Sequence, residues 1–220
     1  MEQTHANALS GKKLLVLGAT GQTGREIVEQ GLARGAAITA LVRSPEKLSV
    51  RDARLTIVAG SPLDTASLDH VMPGMDAVLS VIGHTDLSAS KLVTEGADAL
   101  TRSMRGRVSR LVIVSSTLVG PGGGFLTRIP RLITRHALRD SAEMEKVVEQ
   151  QSALEWTILR LSRLTSNGVT PYHLFDDEAP SVTASVSRAT VACCMLDVVA
   201  DASYVRRTIA IRAGAMVRAS

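Results

Sequence analysis

Leu14-Leu15-Val16-Leu17-Gly18-Ala19-Thr20-Gly21-Gln22-Thr23-Gly24 decides how this chain is read. The first four residues are an apolar run of strand length, of the kind buried on both faces of a sheet. Helical periodicity begins at Gln22, with Ile27, Val28, Leu32 and Ala33 on one side. The glycines lie between the two elements, and each has a task there. Gly18 makes the sharp turn out of the strand, Gly21 lets the backbone approach a pyrophosphate, and Gly24 lets the helix pack close to the sheet. Free N–H groups at the helix start then face the phosphates, and the hydroxyls of Thr20 and Thr23 add donors. The glycine spacing alone is weak evidence; its place between strand and helix gives it weight. Gly18, Thr20, Gly21, Gln22, Thr23 and Gly24 are therefore expected to form a dinucleotide-binding turn.

The next strand, residues 37–42, leads into Arg43-Ser44-Pro45. A site for NAD usually carries Asp or Glu at this strand end, about 20 residues past the turn, to hold both ribose hydroxyls. Arg43 instead offers a charge-assisted partner for a 2′-phosphate, and Lys47 lies close by. NADP(H) is the expected cofactor.

Further along, strand-length apolar runs alternate with helical periods. Strands are expected at 55–59, 77–82, 111–115, 156–161 and 208–211. Helices are expected at 65–71, 88–105, 141–151 (with a polar cap) and 187–199, and a short turn at Pro45. This alternation gives an α/β fold, a Rossmann-type doubly wound parallel sheet covered on both faces. Residues 1–10 read as a flexible polar tail and 11–220 as one domain. Residues 163–182 read as mostly irregular. Substrate-pocket loops are expected around 117–139 and 162–186, with Gly122-Gly123-Gly124 and the segment between Pro171 and Pro180 as lids.

Of the 220 residues, 45% are hydrophobic and 21% charged, as in ordinary globular chains, while only 2% are aromatic. Little stacking surface is left for nucleic acid, and the net charge of +4 is spread without a dense basic block. No nucleic-acid partner is expected. No run reaches the length of a membrane span, and residues 1–10 lack the apolar core of a signal peptide. A cytoplasmic protein acting on a small molecule fits, with its oligomeric state unreadable. Cys193 and Cys194 are adjacent, too strained for a structural bridge, and read as packing residues. No cluster has metal-ligand spacing, so no metal is expected.

The turn, the strand end Val42-Arg43, the stretch from Ser152 through Trp156 to Arg160, and the preceding helix with Asp140, Glu143 and Glu145 resemble the atypical short-chain dehydrogenases. Within them the chain is similar to the NmrA-like and biliverdin reductase B (flavin reductase) branch, from about Lys12 to about Ile211. The resemblance implies about seven strands in the order 3-2-1-4-5-6-7. It implies that Ser61 and Leu63 lie beside the adenine, although relatives often have Asp where Ser61 stands. Ile82, Gly83 and His84 would lie near the nicotinamide-side ribose or the substrate, and Ser115, Ser116 and Thr117 beside the nicotinamide.

Short-chain dehydrogenases generally use a Tyr with a Lys four residues on. Tyr172 and Tyr204 are the tyrosines of this chain, and neither has that Lys. The branch it resembles manages hydride transfer mainly by alignment, with a Ser after the fifth strand positioning the acceptor. Ser116 matches that place, and a hydroxyl satisfying local backbone groups explains it equally well. His84 is the candidate for proton traffic; His136 and His173 rank below it. Leu161 replaces a Pro common in relatives, and no His follows the sixth strand. Arg163 reads as an anion holder or a solvent-facing charge, as do Arg128, Arg131 and Arg135. Three functions fit: an NADPH-dependent oxidoreductase for a flavin- or quinone-type acceptor, a non-catalytic NADP(H)-binding regulator, or a non-redox biosynthetic enzyme on the same fold.

Overall fold

The structure is a computed structural model that describes residues 9–83, 91–119, 134–176 and 184–214. Its strands form where the apolar runs lie. They are β1 (Lys13–Leu17), β2 (Ala37–Val42), β3 (Leu55–Ala59), β4 (Ala77–Ser80), β5 (Arg110–Ser116) and β6 (Glu155–Leu161). Three short strands follow, β7 (Arg163–Thr165), β8 (Tyr172–Asp176) and β9 (Ser185–Ser187), and then β10 (Arg207–Ala213). The helices are α1 (Gln22–Ala33), α2 (Thr65–Val71), α3 (Leu92–Met104), α4 (Arg135–Glu149) and α5 (Arg188–Ala200).

The main sheet runs β3-β2-β1-β4-β5-β6-β10-β8, parallel except for β8, which pairs antiparallel with β10. The expected 3-2-1-4-5-6-7 order is present, with β10 as the seventh strand. β8 is an eighth, in a stretch expected to be irregular. A separate two-stranded sheet joins β7 to β9. Residues 162–186 are thus partly built of strands, and their loop assignment is corrected.

Alternation along each central strand feeds two cores. Leu14 and Val16 of β1 face α1 and α5, meeting Ile27, Val28, Val191 and Leu196. Leu15 and Leu17 face the other way, toward Leu68 of α2, Val93 and Leu100 of α3, and Met144 and Val148 of α4. Burying both faces stabilises the strand by roughly 1.5–3 kcal/mol per large apolar side chain. The parallel arrangement then brings all the strand C-termini to one edge of the sheet, where an open α/β sheet places its ligands.

Three boundaries differ from expectation. Leu9, expected in the tail, is 2% exposed, and its N–H donates to the Arg34 carbonyl at 3.2 Å. Helix α4 begins at Arg135 rather than Ser141. The polar pair Asp140-Ser141 does not cap its own helix; the Asp140 carboxylate accepts the Val93 and Thr94 N–H groups at 3.1 Å each and caps α3. β4 ends at Ser80, one residue before the Val81 N–H makes a last bond to the Leu17 carbonyl at 3.0 Å.

Candidate functional site

Gly18 adopts φ +85°, in the left-handed region, and a Cβ there would lie 2.9 Å from the Val81 carbonyl oxygen. Gly24 is tighter still: a Cβ would lie 2.1 Å from the Gly18 oxygen and 2.7 Å from the Ala19 Cα. Helix α1 therefore leaves the turn in contact with the backbone of β1's exit. Gly21 is different in kind. It has an unstrained φ of −73°, its N–H donates to Gly18 at 3.0 Å, and a Cβ would meet only the Gly18 oxygen, at 3.3 Å. No side chain caps α1, and its first turn holds no acidic residue. The positive end of the helix dipole is left for an anion, and the open face at Gly21 is the cradle that a Cβ would begin to fill.

Beside this turn lies a cavity of about 200 Å³ lined by Gly18, Thr20, Gly21, Leu41, Arg43, Ser61, Leu63, Ile82 and Gly83, among others. The residues expected to hold the adenosine end are thus brought together, with Arg43 exposed at the strand end. The Ser61 hydroxyl accepts the Leu63 N–H at 3.2 Å, which shapes the loop under Leu63. Gln22, Gly24 and Lys47 do not line the cavity. Gly24 is buried packing, while Gln22 and Lys47 are exposed. The Lys47 carbonyl accepts a hydrogen bond from the Arg25 guanidinium at 2.8 Å. Arg25 ties α1 to the turn after β2, a contact that the sequence could have signalled only by a basic residue one place beyond Gly24.

A second cavity, about 280 Å³, is lined by Thr23, Gly83, Ser115, Ser116, Ser141, Met144, Leu161, Ser162 and Leu164. Both cavities are bordered by Val81, Ile82 and Gly83, so they adjoin at the C-terminal edge of β4. The Ser116 hydroxyl accepts the Leu118 N–H at 3.3 Å. The Ser115 and Ser162 hydroxyl oxygens are buried without a hydrogen-bond partner among the described residues. Sequence reading missed Ser141, Met144 and Ser162, which reach the cavity only through the placement of α4 against the ends of β5 and β6. His84, Arg128, Arg131 and the Gly122–Gly124 loop lie outside the described residues. Arg163 and Arg135 are exposed and line neither cavity.

Neither tyrosine reaches these cavities. The Tyr172 hydroxyl donates to Asp197 at 2.5 Å, and Asp197 also pairs with Arg34 at 2.6 Å. Burial, reinforced by Asp197, pushes the Tyr172 hydroxyl well above its usual range. Arg34 also contacts the Cys193 sulfur at 3.0 Å, while Cys194 is fully buried, and both thiols are free. Behind the second cavity, Glu145 of α4 holds Arg160 of β6 through two hydrogen bonds, at 3.1 and 2.8 Å. Their side chains are 5% and 12% exposed, so the pair fixes α4 against the sheet from inside.

A further cavity, about 380 Å³, opens at the N-terminal edge of the sheet, far from the turn. Arg110 there spends its guanidinium on the Val198 carbonyl at 2.5 Å and the Glu155 carbonyl at 2.7 Å, closing the end of α5. Among the described residues no helix is long and apolar enough to cross a membrane.

Comparison with known proteins agrees with this geometry. A family model described as NAD(P)H-binding matches residues 18–202. The chain is 32% identical over 156 residues to a (4-alkanoyl-5-oxo-2,5-dihydrofuran-3-yl)methyl phosphate reductase of Streptomyces griseus, covering 70% of this chain and 49% of that protein. It thus spans about half the length of that relative. It is 31% identical over 213 residues to the uncharacterized chloroplastic protein At2g34460 of Arabidopsis thaliana, covering 87% and 74% of the two chains. A short-chain dehydrogenase/reductase from Veillonella parvula, solved in complex with NADP, shares the fold at TM-score 0.75 and 22% identity, over 91% of this chain and 94% of that one. With a match that runs from the glycine turn to the end of the last helix, the chain belongs to the NAD(P)H-binding family.

Proposed function

We propose that this protein is an NADPH-dependent oxidoreductase that delivers a hydride to a small conjugated acceptor of the flavin or quinone type. The observation that carries the reading is the pair of adjoining cavities. One is built on the phosphate turn and Arg43; the other is apolar and hydroxyl-lined, at the ends of β5 and β6. When bound, the cofactor would supply the hydride. The chain's own part is to hold it and to orient the acceptor. The α1 N-terminus and the Gly21 backbone hold the pyrophosphate. Arg43 pairs with the 2′-phosphate and sets the preference for NADPH over NADH. Ser116 orients the acceptor, and solvent or His84 supplies the proton. Alignment at close range supplies the rate in the absence of a Tyr-Lys dyad. Support comes from the dihydrofuranone reductase among the relatives and from a structural neighbour solved in complex with NADP.

A regulator that binds NADP(H) without turnover is the second reading. It is favoured by Tyr172 being held by Asp197 and by the lack of any tyrosine at either cavity among the described residues. The test is loss of nicotinamide absorbance with FMN, riboflavin and a quinone panel, run beside Arg43→Asp and Ser116→Ala. Turnover that falls in both variants supports the reductase. Tight NADPH binding with no turnover on any acceptor supports the regulator. Substrate conversion with cofactor absorbance unchanged means a non-redox enzyme.

A further inference from the structure

Register places two hydroxyls side by side at the second cavity. β5 and β6 pair in parallel with Ile113 opposite Ile158, Ser115 opposite Arg160 and Ser116 opposite Leu161. Along β5, Leu111 and Ile113 face the core under α3 and α4; along β6, Trp156 and Ile158 do the same. Alternation continues these rows to Ser115 on one strand and Ser162 just past the end of the other. Both residues line the cavity together with Ser141 and Met144 of α4.

Each of these oxygens is sealed from solvent and has no partner among the described residues. The Ser116 hydroxyl at the same cavity is bonded to Leu118, while the Ser103 and Thr208 hydroxyls, which line neither this cavity nor the one at the turn, share the unpartnered state. A buried hydroxyl with no partner costs desolvation with no return, and native proteins keep few of them. To reach a ligand in the cavity each hydroxyl, buried as it stands, has to turn about χ1 to another staggered position. A ligand that presents a hydrogen-bond acceptor there would relieve both.

We propose that Ser115 and Ser162 together receive a carbonyl oxygen of the substrate, and that the acceptor is therefore a conjugated carbonyl compound. This rests on the reductase reading above. The hydride would form a new C–H bond at the conjugated carbon of a quinone, or an N–H bond at the conjugated ring nitrogen of a flavin. The π electrons move onto the carbonyl oxygen, and a proton from water completes the two-electron reduction as the nicotinamide is oxidised. The two serines keep their protons and donate hydrogen bonds to the oxygen that gains charge. Such bonds strengthen as charge develops, in surroundings supplied here by Val114, Leu161 and Leu164. Ser162 is the new element, one place past the end of β6.

The test uses the full chain with Ser162→Ala, Ser115→Ala and the double variant. Menadione is the carbonyl acceptor, methylene blue the acceptor without a carbonyl, and NADPH affinity and Tm are measured in parallel. The expected result has three parts. Turnover with menadione falls about 10-fold to 100-fold, as for a lost hydrogen bond to a charged group. Methylene blue turnover and the NADPH Kd stay put. Tm rises by about 2–4 °C, because an unpaired buried hydroxyl has been removed. A lower Tm with unchanged menadione kinetics would make the hydroxyls structural and overturn the proposal. A weakened NADPH Kd would assign them to the nicotinamide carboxamide, which overturns it too. Menadione binding to the NADP+-loaded protein separates the two readings. Wild type that binds but does not turn over, with weaker binding in Ser162→Ala, sinks the reductase and keeps the serine pair; no menadione binding at all sinks the pair.

Discussion

Gly24→Ala and Gly21→Ala should separate the fold from the site within a single turn. At Gly24 the added methyl would sit 2.1 Å from the Gly18 oxygen and 2.7 Å from the Ala19 Cα, both backbone atoms that cannot swing aside. Helix α1 must shift outward. Overpacking of this kind costs about 1–3 kcal/mol, and contact with backbone belongs at the upper end. At about 2–4 °C per kcal/mol for a chain of this size, Tm should fall by roughly 5–12 °C. At Gly21 the methyl meets one backbone oxygen at 3.3 Å, which must give by a few tenths of an ångström, and φ is −73°, which any residue adopts. Loss of a good N-cap and reduced unfolded-state freedom nearly cancel, leaving a Tm change of about 2 °C or less. The same methyl occupies the space through which a pyrophosphate approaches. Thermal shift with and without NADPH reads both effects. At 100 times Kd, ligand adds about 2.7 kcal/mol to the wild type, a rise of roughly 5–11 °C. Gly21→Ala should lose most of that rise; Gly24→Ala should start low. A Gly24→Ala protein with wild-type Tm, or a Gly21→Ala protein with the full NADPH shift, would refute the reasoning.

Arg43→Ala should weaken NADPH by about 10-fold to 150-fold, the size of a lost charge-assisted contact, and leave NADH unchanged. Titration with both cofactors checks this; equal losses for the two would remove the 2′-phosphate role. Arg25→Ala, which frees the Lys47 carbonyl, should cost NADPH affinity by a smaller factor and raise proteolytic cleavage after residues 44–47. Glu145→Ala removes the carboxylate that holds Arg160 against α4 and should lower stability, read as denaturant midpoint. Tyr172, whose usual pKa is 10.0, has a folded value raised by burial and Asp197. Above pH 10 the unfolded chain releases this proton while the folded chain keeps it, so stability is fully present below pH 10 and declines as pH rises beyond it. Tyr172→Phe should flatten that decline, and an unchanged alkaline slope would show that Tyr172 is not the group responsible.

Much of the site is local in the chain, which is why it could be read early. Gly18, Gly21 and Gly24 lie within one turn, and the strand end at Arg43 is one crossover away. Gln22, Gly24 and Lys47 fall outside the cavity beside the turn. Gly24 is spent on packing, and Lys47 turns to solvent while its carbonyl takes Arg25. The Asp140-Ser141 pair shows the limit of reading along the chain. It carries the chemistry of a helix cap, but the N–H groups it satisfies belong to α3, 47 and 46 residues away. β8 was hidden in the same way, because its pairing depends on β10, and Leu174 meets Ile211 only once both are in the sheet.

Local sequence set the α/β class, the parallel sheet and the glycine turn, while the order of the strands came with the family resemblance. Apolar runs, helical periods and the φ freedom of glycine are properties of a few adjacent residues, and they act before any distant contact exists. Tertiary structure alone decided which polar groups were satisfied. Ser116 found Leu118, Tyr172 found Asp197 and Glu145 found Arg160, while Ser115 and Ser162 were left with none among the described residues. That outcome follows from the register between β5 and β6 and from where α4 lies against them. A hydroxyl's partners are set by distances between elements far apart in the chain, and no local pattern encodes those distances.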